Sequence, residues 1–401
     1  MTTSIGVLRL PRSIQFGFGS REAILHAAHQ LGERAFIVVD PFLAPSAEFQ
    51  GILRQLDEAG VTTCVHTEVL PELPVTSLQA SAEVAAAFAP DVIIGWGGGS
   101  ALDAAKLVAL LVAHGGTLAD YYGENAVPGE VLPLIAVPTT AGTGSEVTPV
   151  AVVADTEREL KVGISSPYLI PHTAIVDPEL TLGAPPTVTA YSGIDALVHA
   201  IESYTAADLS TVFNESQPVF IGRNALSDPL SLEAVRLIGP HLERAVNTPS
   251  DRDARAAMAK GSLLAGLAFG NTGTHLSHAI QYPIGALTHT PHGLGTGLML
   301  PYVMQAISSA VPERLARIGD ALGTESTAEA AIERVAQIVH RIGVPASLAD
   351  IGIKQGDLGR IAELALSSRR LAGISPVPAD IDLLTHILTA AHAGDRASLR
   401  A

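Results

Sequence analysis

Residues Asp91–Ala113 read DVIIGWGGGSALDAAKLVALLVA. The first five, Asp91–Gly95, form a short, nearly continuous apolar run of the kind that a strand buried on both faces of a parallel sheet requires. Gly97-Gly98-Gly99-Ser100 follows at once, and from Ala101 to Ala113 apolar residues recur at helical spacing. Strand, glycine turn and helix in that order form the core of a β-α-β unit. The turn has two readings. Three glycines let backbone approach an anion, and the free N–H groups and positive dipole end of the helix beyond them suit a pyrophosphate. Otherwise the turn is a tight connection into a helix capped by Ser100, with Asp103 completing a capping box.

The pattern extends both ways from this unit. Ala35–Asp40, Val61–His66 and Leu132–Val137 are predicted as further buried strands. Arg21–Leu31, Ala47–Ala59 and Ser77–Phe88 carry the three- and four-residue apolar spacing of crossover helices. After about Pro186 the texture changes. Helical patterns follow one another without a convincing strand: Thr187–Tyr204, Leu230–Val246, Ala254–Phe269, His275–Tyr282, Leu298–Ala306, Ala328–Ile342 and Asp380–Ala391. The expected fold is an α/β domain with a Rossmann-like parallel sheet over residues 1–186, followed by an all-α domain over 187–401. Between the first two helices of the second half, Ala206–Pro229 is polar and weakly periodic, a long loop or lid, or a disordered segment.

A length of 401 residues suits two or three domains at roughly 150 residues each. Hydrophobic residues make up 47% and charged residues 16%, the balance of a chain that folds. The net charge of −16 leaves no broad basic surface to neutralise nucleic-acid phosphates or anionic lipid. The single cysteine, Cys64, excludes an internal disulfide and a multi-cysteine metal cage. The start MTTSIGVLRLPRS lacks a signal-peptide core, and the longest apolar run, Leu107–Ala113, is far below the ~20 residues of a bilayer span. A cytoplasmic protein acting on a small molecule, without nucleic-acid or membrane partners, is expected.

Any metal must therefore be held by histidine and carboxylate. Asp195 and His199 are four apart within Thr187–Tyr204 and project from one helical face, half of a divalent-metal site. His278, in His275–Tyr282, and His292, in Pro291-His292-Gly293, can complete it. One aspartate and three histidines suit Fe²⁺ or Zn²⁺, and these ligands alone do not choose between them. Asp40, at the end of a predicted strand, stands where a carboxylate can hold a ribose 2′-hydroxyl and repel a 2′-phosphate. Pro138–Glu146, with Thr139 and Thr140, places small hydroxyl residues after another strand, where they could wrap a cofactor.

GGGSALDAAK (Gly97–Lys106), PTTAGTGSEVT (Pro138–Thr148), AIVDPEL (Ala174–Leu180), GIDALVHAIESY (Gly193–Tyr204) and the His278 to Pro291–Gly293 segment occur in the order found in iron-containing (group III) alcohol dehydrogenases. The chain resembles that family from about Gly17 to its C-terminal helices. The resemblance implies an N-terminal NAD-binding domain, a helical metal-binding domain and an active site in the cleft between them. It implies that Asp195, His199, His278 and His292 hold the metal, and that Gly98, Gly99, Ser100, Thr139, Thr140, Thr148 and Lys161 line the nicotinamide cofactor, beside Gly97. It implies a preference for NAD through Asp40, and a homodimer. The implied activity is metal-dependent, reversible hydride transfer between an alcohol or hydroxy acid and the corresponding aldehyde or ketone.

Two positions depart from the commoner pattern of that family. Tyr282 stands four residues after His278, where many members have a second histidine, and His275 stands where they often have glycine. His275-Leu276-Ser277-His278 with Tyr282-Pro283-Ile284 looks more like the hydroxyacid-oxoacid transhydrogenase branch, which carries a longer insertion before its Pro-His-Gly. Transhydrogenation with retained NAD is thus the alternative activity. His275, His278 and Tyr282, spaced along one short helix, are expected to share a face, with His275 the better-matched proton donor and acceptor near neutral pH and Tyr282 the second candidate.

Overall fold

A computed structural model of the chain describes residues 6–70, 73–155, 160–209 and 217–400. It divides into two compact units, one spanning Arg9–Gly183 and the other comprising residues 184–400 together with residues 6–8. The boundary falls just ahead of the expected 186. Residues 6–8 belong with the helical unit because Asn224, fully buried, takes the backbone N–H of Val7 on Oδ1 at 3.2 Å and donates to the Val7 carbonyl through Nδ2 at 2.5 Å.

In the first unit the strands are β1 (Ser13–Phe16), β2 (Arg34–Val39), β3 (Thr62–His66), β4 (Val92–Gly97), β5 (Gly123–Glu124), β6 (Leu134–Pro138), β7 (Val150–Asp155), β8 (Leu160–Ser165) and β9 (Thr173–Val176). Its helices are α1 (Ala23–Leu31), α2 (Ala47–Glu58), α3 (Val75–Phe88) and α4 (Gly99–His114). Six strands form an all-parallel sheet in the order β1-β9-β6-β4-β2-β3. The alternation of side chains across a strand builds a core on each face. Phe36, Val38 and Ile93 pack with α3 and α4, whereas Ala35, Ile37, Val39, Ile94 and Trp96 pack with α1 and α2. Each such aliphatic side chain, fully buried, contributes about 1.5–3 kcal/mol of transfer free energy.

The chain runs from β2 outward to β3, then returns to the other side of β2 to make β4 and β6. The winding therefore reverses between β2 and β4, and in open α/β sheets the crevice beyond the strand ends at such a reversal is where ligands bind. The small sheet β5-β8-β7 lies outside this winding, with β7 and β8 antiparallel.

The second unit is helical: α5 (Pro186–Thr205), α6 (Asp228–Asn247), α7 (Arg252–Thr272), α8 (Leu276–Thr288), α9 (His292–Ala306), α10 (Pro312–Ala321), α11 (Ala328–Arg341), α12 (Leu358–Ser367), α13 (Arg369–Gly373) and α14 (Ile381–Ala393). Side-chain caps fix several starts, including Asp251 on Ala254 N before α7, Thr327 on Ala330 N before α11 and Asp380 on Leu383 N before α14. The described flanks of the expected 206–229 loop are irregular as far as Ser227, with α6 starting at Asp228, and they are packed rather than open. Val219, Phe220 and Ile221 are buried, and Ala207, Ile221 and Gly222 donate backbone hydrogen bonds to Ile374, Asn271 and Thr272. Residues 210–216 of that stretch lie outside the described residues. No helix among the described residues is long and apolar enough to cross a membrane.

Candidate active site

Three expected cofactor segments meet at the strand ends where the winding reverses. Asp40 directly follows β2, Gly97–Ser100 ends β4 and begins α4, and Thr139 and Thr140 follow β6. Asp40 N donates to the Trp96 carbonyl at 3.2 Å and Thr139 N donates to the Gly97 carbonyl at 2.9 Å, tying the segments side by side. Gly97 has φ +153°, and a Cβ there would stand 2.7 Å from Ala101 Cβ and 3.2 Å from Asp40 Cβ, so only glycine fits. The capping-box reading of this turn is corrected. Gly98 is the N-cap residue, no side chain caps α4, and Ser100 is exposed, leaving the N-terminal N–H groups of α4 for another acceptor.

Asp103 instead points inward, accepting from Ser145 Oγ and from Val152 N at 3.0 Å. One turn on, Lys106 is fully buried and donates from Nζ to Thr148 O at 2.9 Å, Thr148 Oγ1 at 3.2 Å and Val150 O at 2.8 Å. Thr148, 1% exposed, accepts from Lys106 through both its carbonyl and its hydroxyl oxygen, which ties the chain after β6 to α4. Burial pulls the Lys106 ammonium down to about 8 against the charges of Asp103 and Glu146. Burial likewise pushes the Glu146 carboxyl up to about 7, against its own backbone hydrogen bond and the charge of Lys106. Lys161 lies on β8 and is half-buried.

In the helical unit, α5 carries Asp195 and His199 on one face, α8 carries His278 within its first turn, and α9 begins with His292. One oxygen of Asp195 and one nitrogen each of His278 and His292 lie within 4.8 Å of one another. His278 Nε2 and His292 Nε2 are each 3.8 Å from Asp195 Oδ1, and His199 Nε2 is 3.8 Å from Asp195 Oδ2. These separations are too long for hydrogen bonds and close to the roughly 3.4 Å edge of a tetrahedron with ~2.1 Å metal–ligand bonds. His199 is held in place by stacking on Phe269, ring centroids 4.1 Å apart, and on His278 at 4.9 Å.

Three of the four expected ligands, Asp195, His278 and His292, converge as a divalent ion requires, while His199 approaches the other oxygen of Asp195. His278 Nε2 is buried without a hydrogen-bond partner, an arrangement that a bound metal ion would relieve. Asp195 supports the fit. Burial alone would raise its pKa, but the imidazoles of His199, His292 and His278 and a 2.7 Å hydrogen bond from Thr296 Oγ1 hold its carboxyl below the ordinary range, in the anionic form that a metal needs. The approach of α9 to α5 is equally tight: a Cβ at Gly293 would stand 2.0 Å from the Tyr191 carbonyl oxygen and 3.0 Å from Asp195 Cβ, and one at Gly297 would stand 2.7 Å from Ile194.

His275 does not share a helical face with His278 and Tyr282. It is the N-cap residue of α8, with non-helical backbone at φ −132° and ψ −120°, and is 1% exposed. Its Nε2 lies 2.9 Å from Thr205 Oγ1 and its Nδ1 3.3 Å from Glu202 Oε1, and burial pulls its pKa below the ordinary value. Tyr282 is half-buried, its ring centroid 6.2 Å from that of His292. Sequence reasoning missed Glu202. It is fully buried and accepts from His275 N at 2.8 Å, Ser277 N at 2.6 Å and His278 Nδ1 at 2.7 Å. Although burial opposes ionisation, the neighbouring histidines and these donors bring its carboxyl down to about 2. Its position three residues after His199 and seven after Asp195, along one stripe of α5, was the available signal.

Comparison with known proteins identifies the family. The family model for iron-containing alcohol dehydrogenase matches residues 11–178, and that for the C-terminal region of the Fe-containing alcohol dehydrogenase family matches residues 189–392. Long-chain-alcohol dehydrogenase 1 of Geobacillus thermodenitrificans is 37% identical over 94% of both chains. NAD-dependent methanol dehydrogenase of Bacillus methanolicus is 33% identical over 89% of this chain and 92% of its own. Among solved structures, 1,3-propanediol oxidoreductase superposes with a TM-score of 0.89 at 32% identity, covering 96% of this chain and 100% of its own. The chain belongs to the iron-containing alcohol dehydrogenase family. It is an oxidoreductase that interconverts alcohols and aldehydes.

Proposed function

We propose that Asp195, His199, His278 and His292 hold a catalytic divalent ion, Fe²⁺ with Zn²⁺ as the alternative, and that the Arg9–Gly183 unit binds NAD(H). The observation that carries the first part is the convergence of Asp195, His278 and His292 around the buried, unpartnered His278 Nε2. A bound ion supplies Lewis acidity at an alcohol or carbonyl oxygen, and NAD(H) supplies or accepts the hydride.

The protein's own groups do the rest. The uncapped start of α4, reached through Gly97, Gly98 and Gly99, offers N–H donors to the cofactor pyrophosphate, with Ser100 at its edge. Asp40 beside Gly97 receives the ribose hydroxyls and excludes a 2′-phosphate. Thr139 and Thr140 line the adjoining strand end, Thr148 holds that segment in place through Lys106, and Lys161 donates from β8. In the helical unit, Thr296 holds the Asp195 carboxylate in position. Tyr282, half-exposed beside His292, is placed better than His275 to exchange the substrate's proton, because the His275 ring faces Thr205 and Glu202. The substrate is a small alcohol, hydroxy acid or aldehyde, and the working form is a homodimer.

Metal analysis of anaerobically purified protein, with NADH absorbance followed across an alcohol, aldehyde and hydroxy-acid panel, tests the proposal. One equivalent of bound metal and metal-dependent turnover are expected. Full turnover by the stripped protein would refute the metal assignment. Turnover that needs both a hydroxy acid and an oxo acid, without net change in added NAD, would mark the transhydrogenase activity.

A further inference from the structure

We infer that Glu202 is a positioning residue for the metal site: by accepting from His278 Nδ1 it fixes the imidazole tautomer and turns the Nε2 lone pair toward Asp195 and His292. The inference rests on the proposed metal site and assigns a role to a residue outside the ligand set.

Both oxygens of Glu202 take backbone N–H groups and so act as acceptors, and the 2.7 Å contact between Glu202 Oε2 and His278 Nδ1 therefore places the proton on Nδ1. A neutral imidazole protonated on Nδ1 has its lone pair on Nε2, the atom that is buried without a hydrogen-bond partner 3.8 Å from Asp195 Oδ1. The ring cannot readily turn over, because Glu202 is itself held on both oxygens: Oε1 accepts from Ser277 N at 2.6 Å, and Oε2 also accepts from His275 N at 2.8 Å. Those two donors are free N–H groups at the start of α8, which satisfy the carboxylate and align its field with the helix dipole. Glu202 thus joins α5 to α8 through three hydrogen bonds, and a rigid outer partner of this kind orients a ligating histidine.

A purely structural account, in which Glu202 only anchors the start of α8, makes a different prediction. Glu202→Gln keeps the size of the side chain but replaces one accepting oxygen with an NH₂ group. Where that group faces His278 Nδ1, the ring must accept there, and its proton moves to Nε2, where metal binding requires a lone pair. Glu202→Asp keeps an acceptor-only group on a shorter stem and serves as the conservative variant.

The experiment uses full-length protein labelled with ¹⁵N-histidine and stripped of metal by chelation. Ring nitrogen correlations report the tautomer directly, and the His278→Gln variant identifies the His278 signal. Wild type is expected with the proton on Nδ1, Glu202→Gln with an increased Nε2–H population, and Glu202→Asp close to wild type. Zn²⁺ affinity measured by chelator competition is expected to fall about 10- to 100-fold in Glu202→Gln. A wild-type His278 protonated on Nε2 would overturn the inference whatever the variants do. A Glu202→Gln protein that is less heat-stable but retains both the tautomer and the Zn²⁺ affinity would reduce Glu202 to a helix anchor. A wild-type protein that binds no Zn²⁺ would refute the metal site itself, while the tautomer measurement would still decide the role of Glu202.

Discussion

Replacing Glu146 with glutamine isolates a pH-dependent contribution to the stability of the Arg9–Gly183 unit. Burial raises this carboxyl from its ordinary 4.5 to about 7. Between those values the folded chain keeps a proton that the unfolded chain releases, so stability falls as pH rises through the window and is flat on either side. The span corresponds to about 3 kcal/mol. For a unit of this size that moves an unfolding midpoint by roughly 6–12 °C. Glutamine imitates the neutral acid and carries no proton to lose, so the difference between wild type and Glu146→Gln isolates the group. The single tryptophan, Trp96, is 1% exposed in the core of this unit, and its fluorescence reports urea unfolding there. Wild type is expected to lose about 3 kcal/mol relative to Glu146→Gln between pH 4.5 and 7.5. Parallel stability profiles for the two proteins over that range would refute the reasoning.

Four further outcomes follow from the geometry. His278→Ala should abolish NADH-linked turnover and deplete bound metal with little change in far-UV circular dichroism, since alanine is a good helix former; wild-type turnover with full metal content would remove His278 from the ligand set. Asp40→Gly should narrow the preference for NAD(H) over NADP(H), and equal wild-type kcat/KM for the two cofactors would place Asp40 away from the ribose. Gly97→Ala should cost at least ~1–3 kcal/mol in urea unfolding and weaken NADH binding in a fluorescence titration, because it combines an unfavourable φ with a 2.7 Å approach to Ala101; normal values for both would show that the turn can relax. Tyr282→Phe should lower turnover ~100-fold or more and flatten its pH profile, whereas His275→Gln should change it less; the reverse order would return the proton-handling role to His275.

The strands most legible in the sequence, β2, β4 and β6, are buried almost throughout, and edge strand β3 is marked instead by its β-branched residues between polar neighbours. All four lie within a residue or two of their expected bounds, as do α2 and α3. β1 and β9 escaped notice for opposite reasons. SIQF in β1 is half-buried at the sheet edge, so its pattern is mixed, and TAIV in β9 is too short to stand out from its neighbours. β7 and β8 form a small antiparallel sheet whose pairing cannot be read from spacing alone. Among the helices, α5 to α9 follow the expected patterns in order, whereas α10 and α12 are amphipathic but short, ten residues each. The site shows the same division. Asp195 and His199 were visible through their four-residue spacing. Lys106 with Thr148 depends on a contact between residues 42 apart, which only folding creates. Helical spacing aligns His275 with His278 only if the helix runs one residue beyond the start of α8, where the backbone in fact leaves it.

The touching backbones at Gly293 and Tyr191 make the spacing of Asp195 and His292 a property of the seam between α5 and α9 rather than of two adjustable side chains. A single methyl group at position 293 acts as a wedge: it must separate the helices or bend one of them, and either movement shifts a carboxylate and an imidazole together. The seam is in effect a fixed gauge, set by the absence of atoms. Selection for new substrates would therefore find positions 293 and 297 almost closed to variation, and useful diversity would gather where side chains can change without moving the gauge.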